Sequence, residues 1–193
     1  MAKLTRESLM TLEAYARERD GFRARVMAHK QRRKLELGPN VTLQFEDELT
    51  MRYQVQEMLR AERIFEEAGI EEELEAYNPL VPDGRNFKAT MMIEYPDPDE
   101  RARQLEQLIG IEDRVWLQVE GCPKVWAIAD EDLDRETPEK TSSVHFLRFE
   151  LDDPMAEGLK RGAPLSIGID HPRYRASTVA PVETRDALVE DLA

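Results

Sequence analysis

The chain has 193 residues, of which 41% are hydrophobic and 35% are charged, and its formal net charge is -13. This composition is typical of a folded, charge-rich globular protein, and it excludes a disordered chain. No apolar run approaches the roughly 18 residues that a membrane helix needs, and the N-terminal residues lack the apolar segment of a secretory signal. The single cysteine, Cys122, excludes an internal disulfide. We therefore expect a cytoplasmic protein.

The charge is unevenly distributed along the chain. Residues 1–37 contain ten Lys and Arg against five Asp and Glu, so this segment carries +5 and the rest of the chain carries -18. A basic segment of this kind, here residues 17–34, can bind nucleic acid. Because the acidic body would repel phosphate, the pattern favours instead a helix whose basic face meets the acidic body or a protein partner.

The first half of the chain is predicted to be mainly helical. A capping Thr5 and the apolar spacing predict a helix over 5–17, and a second helix follows over 20–36. "LGPN" ends the second helix, and the alternation in "VTLQF" predicts a short strand. A long helix is predicted over 50–69, interrupted at Gly69, and the residues of "NPLVPDGRN" form a loop.

The second half of the chain contains an internal repeat. Residues 91–129 and 147–178 each show a strand, an Asp-Pro helix start, a helix, a strand, a tight proline turn and a strand. We therefore predict an α+β fold in which N-terminal helices pack on a mixed β-sheet or partly closed barrel built from two β-α-β-β repeats. The predicted division is a helical part with one short strand over 1–85 and the duplicated part over 86–193, together forming one compact domain.

The histidines and the cysteine form no recognisable catalytic or metal motif. A di-iron bundle needs Glu-x-x-His motifs, and none of the three histidines follows a glutamate by three residues. A structural zinc site needs local Cys/His pairs, which are missing, although Cys122 and His171 lie in equivalent turns of the repeat. Ser142 and Ser143 lie close to His145 without forming a triad pattern, and no phosphate-binding loop is present. We expect no cofactor, no metal, and a binding protein rather than an enzyme.

A line of polar residues accompanies the apolar stripe of the predicted 50–69 helix. Its members, with one extension at each end, are Glu46, Thr50, Gln54, Glu57 and Arg60. An exposed helix surface is the simplest interpretation. Because apolar residues lie on more than one side of this helix, we predict that it is sandwiched, so that its polar groups need partners. We assign these five residues to a candidate binding face, whose partner is the arginine-rich second helix, another subunit or a ligand.

A different hypothesis places a small-ligand or catalytic site in the repeated sheet. Its candidate lining residues are Trp116, Trp126, His145 and His171. Glu94 and Glu150 occupy equivalent positions of the repeat and would supply a carboxylate pair for acid–base chemistry. His145 has a simpler interpretation as a hydrogen-bonded histidine at the edge of the core.

Four segments together resemble one bacterial family. They are "LTRESLMTLEAYARERDGFRARVMAHK", "FEDELTMRYQVQEMLRAERI", "AYNPLVPDG" and "KTSSVHFLRFELDDPM". The family is known as domain of unknown function 3501, and the resemblance covers essentially the whole chain. Its members are often encoded beside a rubrerythrin-like protein and an iron–sulfur oxidoreductase. The resemblance therefore implies a non-enzymatic accessory of a cytoplasmic redox or peroxide-handling system, docked to an iron protein through the polar face and the basic helices. A symmetric homodimer is a further expectation.

Overall fold

A computed structural model describes residues 3–133 and 135–193 of the chain. Its strands, in chain order, are β1 (Lys34–Leu37), β2 (Val41–Glu46), β3 (Asn86–Ile93), β4 (Val115–Val119), β5 (Val125–Trp126), β6 (Ile128–Ala129), β7 (Val144–Glu150), β8 (Leu165–His171) and β9 (Tyr174–Val179). Its α-helices are α1 (Leu12–Gln31), α2 (Glu48–Glu62), α3 (Glu67–Tyr77), α4 (Pro98–Gln107), α5 (Asp153–Lys160) and α6 (Val182–Val189). The fold is therefore α+β.

The strands form two sheets whose inner faces enclose the main core. Sheet A has the order β1-β2-β3-β7-β6, and sheet B has the order β5-β4-β8-β9. Both sheets contribute to one buried apolar cluster. Its centre on sheet A includes Phe45, whose ring lies 6.1 Å from that of Phe87 and 6.5 Å from that of Phe149. Strand alternation turns these rings inward and leaves the outer face of sheet A for polar residues.

The prediction of a mixed sheet or partly closed barrel is wrong. Within the described residues, every strand pairing is antiparallel, and the two sheets remain separate. The reason lies in the connections: α4 links β3 in sheet A to β4 in sheet B, and α5 links β7 in sheet A to β8 in sheet B. Each helix thus carries the chain to the opposite layer, so that the strands on either side of it cannot pair in parallel.

The two proposed repeats occupy corresponding places in this arrangement. Each contributes one strand to sheet A, then a helix, then two strands to sheet B; β3 pairs with β7, and β4 pairs with β8. Leu117 and Ile167 occupy equivalent positions when the two predicted repeats are aligned with each other. They are directly paired across β4 and β8. The duplication itself stays a prediction.

The N-terminal segment differs from the two predicted helices. A single helix, α1, spans 12–31, and residues 34–37 form strand β1 rather than the end of a helix. Gly21 lies inside α1, where a glycine costs about 1 kcal/mol relative to alanine. Burial of Tyr15, Phe22 and Val26 against Tyr53 outweighs that cost and keeps the helix continuous.

The break in the predicted 50–69 helix occurs earlier than Gly69. Helix α2 ends at Glu62 and is capped by Arg63, which adopts φ +55°, and the Ile64 N–H donates to the Leu59 carbonyl at 2.9 Å. This bond is the six-to-one contact of a Schellman cap. Gly69 lies within α3, where an added Cβ would come 2.7 Å from Cγ2 of Ile64. Gly69 is thus required by the close approach of the α2–α3 link.

No helix in the described part of the chain combines the length and apolar character that a membrane span requires. In sheet A, β1 pairs with β2 and β2 pairs with β3, so the N-terminal part shares this sheet with the predicted duplicated part.

Candidate ligand-binding site

A cavity of about 580 Å³ opens on the outer face of sheet A. Its size falls within the range of about 300–1,000 Å³ that is usual for small-molecule sites. Its floor is formed by β3 and β7, and the end of α3 with the turn that follows covers it. The principal lining residues are Tyr77, Pro79, Leu80, Lys88, Phe146 and Arg148.

Strand alternation explains how the floor residues reach the cavity. On β3, Phe87 and Ala89 are buried in the core, so Lys88 between them points outward. On β7, Leu147 faces inward and Phe146 and Arg148 face outward. Lys88 and Arg148 are directly paired across the two strands, which places two cations side by side on the cavity floor.

Arg148 is fully engaged by carboxylates of the chain. Its Nε and Nη2 donate to the two oxygens of Glu131 at 2.8 and 2.7 Å, and its Nη1 donates to Glu150. These hydrogen bonds raise the pKa of Arg148, and the bond to Arg148 lowers the pKa of Glu131. Arg148 therefore shapes the floor and offers little charge to a ligand.

Lys88 has no comparable partner within the described residues. Its amine forms no ion pair or hydrogen bond there, and burial, followed by repulsion from Arg148, lowers its pKa. On the other side, Lys88 is paired in register with Glu46 of β2. Glu46 accepts a hydrogen bond from Thr90 through Oε1, while its buried Oε2 has no partner in the described part of the chain.

The cavity therefore combines an apolar wall with one available amine. Phe146, Pro79 and Leu80 supply the apolar surface, and the Arg135 guanidinium stacks on the Phe146 ring, 4.6 Å from the ring centroid. A partly desolvated amine can pair with an anionic group, and in its neutral form it can add to a carbonyl carbon. The ion pair and the addition to a carbonyl both suit a ligand with an apolar body and one acidic or carbonyl group.

The chain also shows clear similarity to known sequences and structures. The family described as "Protein of unknown function (DUF3501)" matches residues 3–192. The chain belongs to the DUF3501 family. This membership confirms the resemblance drawn from the four quoted segments, while the redox neighbours that it implies stay a prediction.

A similar solved structure is that of a protein from Burkholderia pseudomallei K96243. It is a novel protein of unknown function whose crystal structure, at 1.90 Å resolution, shares 55% sequence identity with this chain and a TM-score of 0.95. The match covers 100% of each chain. No curated protein sequence matches the chain.

The predicted binding face is divided among different environments. Glu46 ends strand β2 instead of lying on a helix. It is the cross-strand neighbour of Lys88 on β3. Thr50 is fully buried in a capping box: its N–H donates to Asp47 Oδ1, and its Oγ1 accepts from the Asp47 N–H, each at 2.9 Å. Gln54 is partly exposed, and Arg60 is exposed.

Glu57 binds helix α1, through two residues that precede the predicted second helix over 20–36. Arg19 of α1 donates to both of its oxygens at 2.8 Å, and the Tyr15 hydroxyl donates at 2.5 Å. The Arg19 hydrogen bonds lower the pKa of Glu57 to about 2. Glu57 thus joins α2 to α1. Whether the five-residue face also docks a second protein stays a prediction.

The residues proposed for a site in the repeated sheet are not brought together. Glu94 follows β3, whereas Glu150 pairs with Asn86 at the opposite end of that strand, about 25 Å away. Trp116 and Trp126 pair with each other in sheet B, and Lys124 lies 3.7 Å from the Trp116 ring centroid.

Cys122 and His171 lie at opposite ends of the β4–β8 pair. Strands β4 and β8 run antiparallel, so the turn after Val119 and the end of β8 are on opposite sides of the sheet. His171 instead contacts the Ile109 carbonyl at 3.1 Å. The matching positions of Cys122 and His171 in the sequence do not bring them together, because the turns that follow two antiparallel strands lie at opposite ends of the pair.

The sequence contained only weak signals for the cavity. Lys88 interrupts the alternating apolar segment "NFKATMMI", but a lysine on the polar face of a strand is ordinary. The covering residues lie in the segment interpreted as a loop over 78–86 and just before it. Their apposition to β3 and β7 depends on tertiary packing, which no local pattern encodes.

Proposed function

We propose that the protein binds a small molecule with an apolar body and a single anionic group in the cavity on sheet A. The observation that carries this proposal is the amine of Lys88, which lines an apolar cavity and has no ion pair within the described residues. Burial removes water from around this amine and so disfavours its charged form. An anionic group of the ligand would stabilise that charged form in place of the water.

Among anionic ligands, the net negative charge of the lining disfavours any that carries more than one charge. Lys88 and Arg148 are the cations of the lining, against four acidic residues: Asp83, Glu131, Asp132 and Glu150. Arg148 is already bound by two of these acids, so a phosphate or a dicarboxylate would meet net repulsion. A monocarboxylate matches the single available amine.

The apolar wall sets the scale of the expected affinity. Burial of about 150 Å² of an aliphatic chain against the wall contributes about 4 kcal/mol. The ion pair with Lys88 adds to this, and the loss of ligand freedom opposes it. We therefore expect a simple monocarboxylate to bind with a Kd of about 0.1–1 mM.

Isothermal titration with octanoate, benzoate and octylamine tests the proposal. We expect a carboxylate to bind and octylamine to bind at least tenfold more weakly. Lys88→Met should weaken carboxylate binding about tenfold, whereas Lys34→Met, on the edge strand β1 of the same sheet, should leave it unchanged. The proposal fails if neither carboxylate binds, or if Lys88→Met binds as well as the unsubstituted protein.

We infer a second candidate function, the docking of an iron protein of a cytoplasmic redox system, from the family resemblance. The observation in its favour is the surface of α1, where Arg17, Arg23 and Arg25 are exposed and form no ion pair within the described residues. Such a basic surface would steer an acidic partner. Co-purification with a rubrerythrin-like protein at low and high salt tests this candidate. A charge-reversed Arg17/Arg23/Arg25 variant that keeps the complex would contradict it.

A further inference from the structure

A cluster of three ionisable side chains lies inside the protein, apart from the cavity. Glu112 comes from the 3₁₀ turn before β4, Asp130 directly follows β6, and His145 belongs to β7. One ligand-capable atom from each lies within 4.8 Å of the others. Their side chains are 8%, 8% and 0% exposed, so that three separate elements converge in a site without bulk water.

The His145 ring is held in a fixed orientation. Its Nδ1 lies 2.6 Å from Asp130 Oδ2, while Asp130 Oδ1 accepts from the Phe146 N–H at 2.9 Å. This carboxylate–imidazole contact is the arrangement that orients metal-binding histidines, because it leaves Nε2 free to act as the ligand. Around Nε2 lie Thr141 Oγ1 at 2.9 Å and the Ser142 carbonyl at 3.1 Å.

Glu112 supplies an independent sign that a cation belongs here. Its Oε2 is buried and has no hydrogen-bond partner in the described part of the chain, although the whole residue is only 6% exposed. This oxygen lies 3.9 Å from His145 Nε2. Buried carboxylate oxygens are normally hydrogen-bonded or bound to metal, so an unpartnered oxygen aimed at a histidine requires an explanation.

A hydrogen bond to His145 does not provide that explanation. Nε2 already faces Thr141 and Ser142 at hydrogen-bond distance, and 3.9 Å is too long for a hydrogen bond to Glu112. A metal ion between the two residues would take Nε2 in place of its contacts with Thr141 and Ser142, and would supply the missing partner of Glu112 Oε2.

We propose that Glu112 and His145 are ligands of a divalent metal ion, with Asp130 as the carboxylate that positions His145. The Thr141 hydroxyl and the Ser142 carbonyl lie where they could complete the coordination. The donor set contains one imidazole nitrogen, oxygen atoms and no sulfur, which suits Zn²⁺ or Mn²⁺. Ca²⁺ would require six to eight oxygen ligands. This metal site is separate from the cavity on sheet A, and the proposal does not depend on small-molecule binding there.

The metal would fasten the segment that borders the cavity. Asp130 immediately precedes Glu131 and Asp132, which line the cavity. Asp130 also has a left-handed backbone, φ +48°, which is uncommon for a residue other than glycine and is held here by bonds on both sides. Metal binding at His145 would therefore hold Asp130 in place, and through it the cavity wall formed by Glu131 and Asp132.

Metal titration of the full chain after chelator dialysis tests the proposal. We expect one Zn²⁺ or Mn²⁺ per chain, measured by calorimetry, with a rise in Tm, and no rise with Ca²⁺ at the same concentration. Glu112→Gln keeps the side-chain shape and should weaken metal binding at least tenfold, whereas Glu120→Gln, an exposed acid beyond β4, should not. Zn K-edge absorption should show one imidazole in a nitrogen and oxygen shell.

Two results would overturn the site. The first is that neither Zn²⁺ nor Mn²⁺ binds the unsubstituted protein in a one-to-one ratio. The second is that Glu112→Gln binds metal as tightly as Glu120→Gln. If Glu112→Gln does not fold, the absorption spectrum decides, since a shell without imidazole excludes His145. A bound metal together with no carboxylate binding would separate this proposal from the function of the cavity.

Discussion

A buried ion pair fastens the C-terminal helix to sheet A, and its removal gives a sharp test of the structure. Arg33 is fully buried between α1 and β1, and its Nη2 donates to Asp191, which is 2% exposed. Its Nη1 donates to the Ala187 carbonyl at 2.8 Å. We consider Asp191→Asn, which keeps the size of the side chain and removes its titration.

The magnitude follows from the pKa of Asp191. Burial outweighs the attraction of Arg33 and raises this pKa from 3.8 to about 6. Between these two values the folded protein binds a proton at Asp191 and the unfolded chain does not, so the unfolding free energy falls as the pH rises. The gap between the unfolded and the folded pKa of Asp191 corresponds to about 3 kcal/mol of unfolding free energy. This stabilisation is present at low pH and is fully lost above the folded pKa. The pKa of nearby Asp47 is lowered, so Asp47 makes the unfolding free energy rise with pH. It does so in the unsubstituted protein and in Asp191→Asn.

Urea unfolding from about pH 4 to pH 7.5 measures this effect. The unfolding free energy of Asp191→Asn minus that of the unsubstituted protein should rise by about 3 kcal/mol across the range. Asp186→Asn, an exposed acid on α6, is the matched control and should follow the unsubstituted protein. Parallel pH profiles for Asp191→Asn and the unsubstituted protein would refute the reasoning that burial dominates at Asp191.

Three further predictions concern other parts of the fold. Glu57→Ala should lower the unfolding free energy by about 1–2 kcal/mol in urea, because Arg19 loses its partner, whereas Glu62→Ala on the same helix should change little. Gly38→Ala should lower Tm, since Gly38 has φ +70° and an added Cβ would lie 2.8 Å from the Tyr174 hydroxyl. At pH 8, amine-selective reagents should label Lys88 faster than the exposed lysines, and octanoate should slow the labelling; equal rates would contradict the lowered pKa of Lys88.

The sequence predicted the α+β class and the placement of most strands, because alternating segments such as "VTLQF" carry a clear period. Continuity of α1 and the early end of α2 were missed for a common reason. Both depend on tertiary packing, of Phe22 against Tyr53 in one case and of Ile64 against Gly69 in the other. The separation into two sheets was missed because a β-α-β pattern does not reveal which layer the second strand joins.

The candidate sites were harder to predict than the fold. Glu57 was selected as part of a binding face, and it contacts Arg19, which lies just before the arginine-rich helix predicted over 20–36. Glu112, Asp130 and His145 are separated by 18 and 15 positions and match no local ligand motif, so their convergence appears only in three dimensions. Lys88 was not selected, because its unusual setting arises from helix α3 and Arg148.

A crystal structure of the protein with octanoate tests the central claim, that the cavity on sheet A binds a monocarboxylate through Lys88. We predict the carboxylate within about 3 Å of Lys88 Nζ and the alkyl chain against Phe146 and Leu80. An octanoate bound elsewhere, or bound in the cavity with its carboxylate turned away from Lys88, would contradict the account.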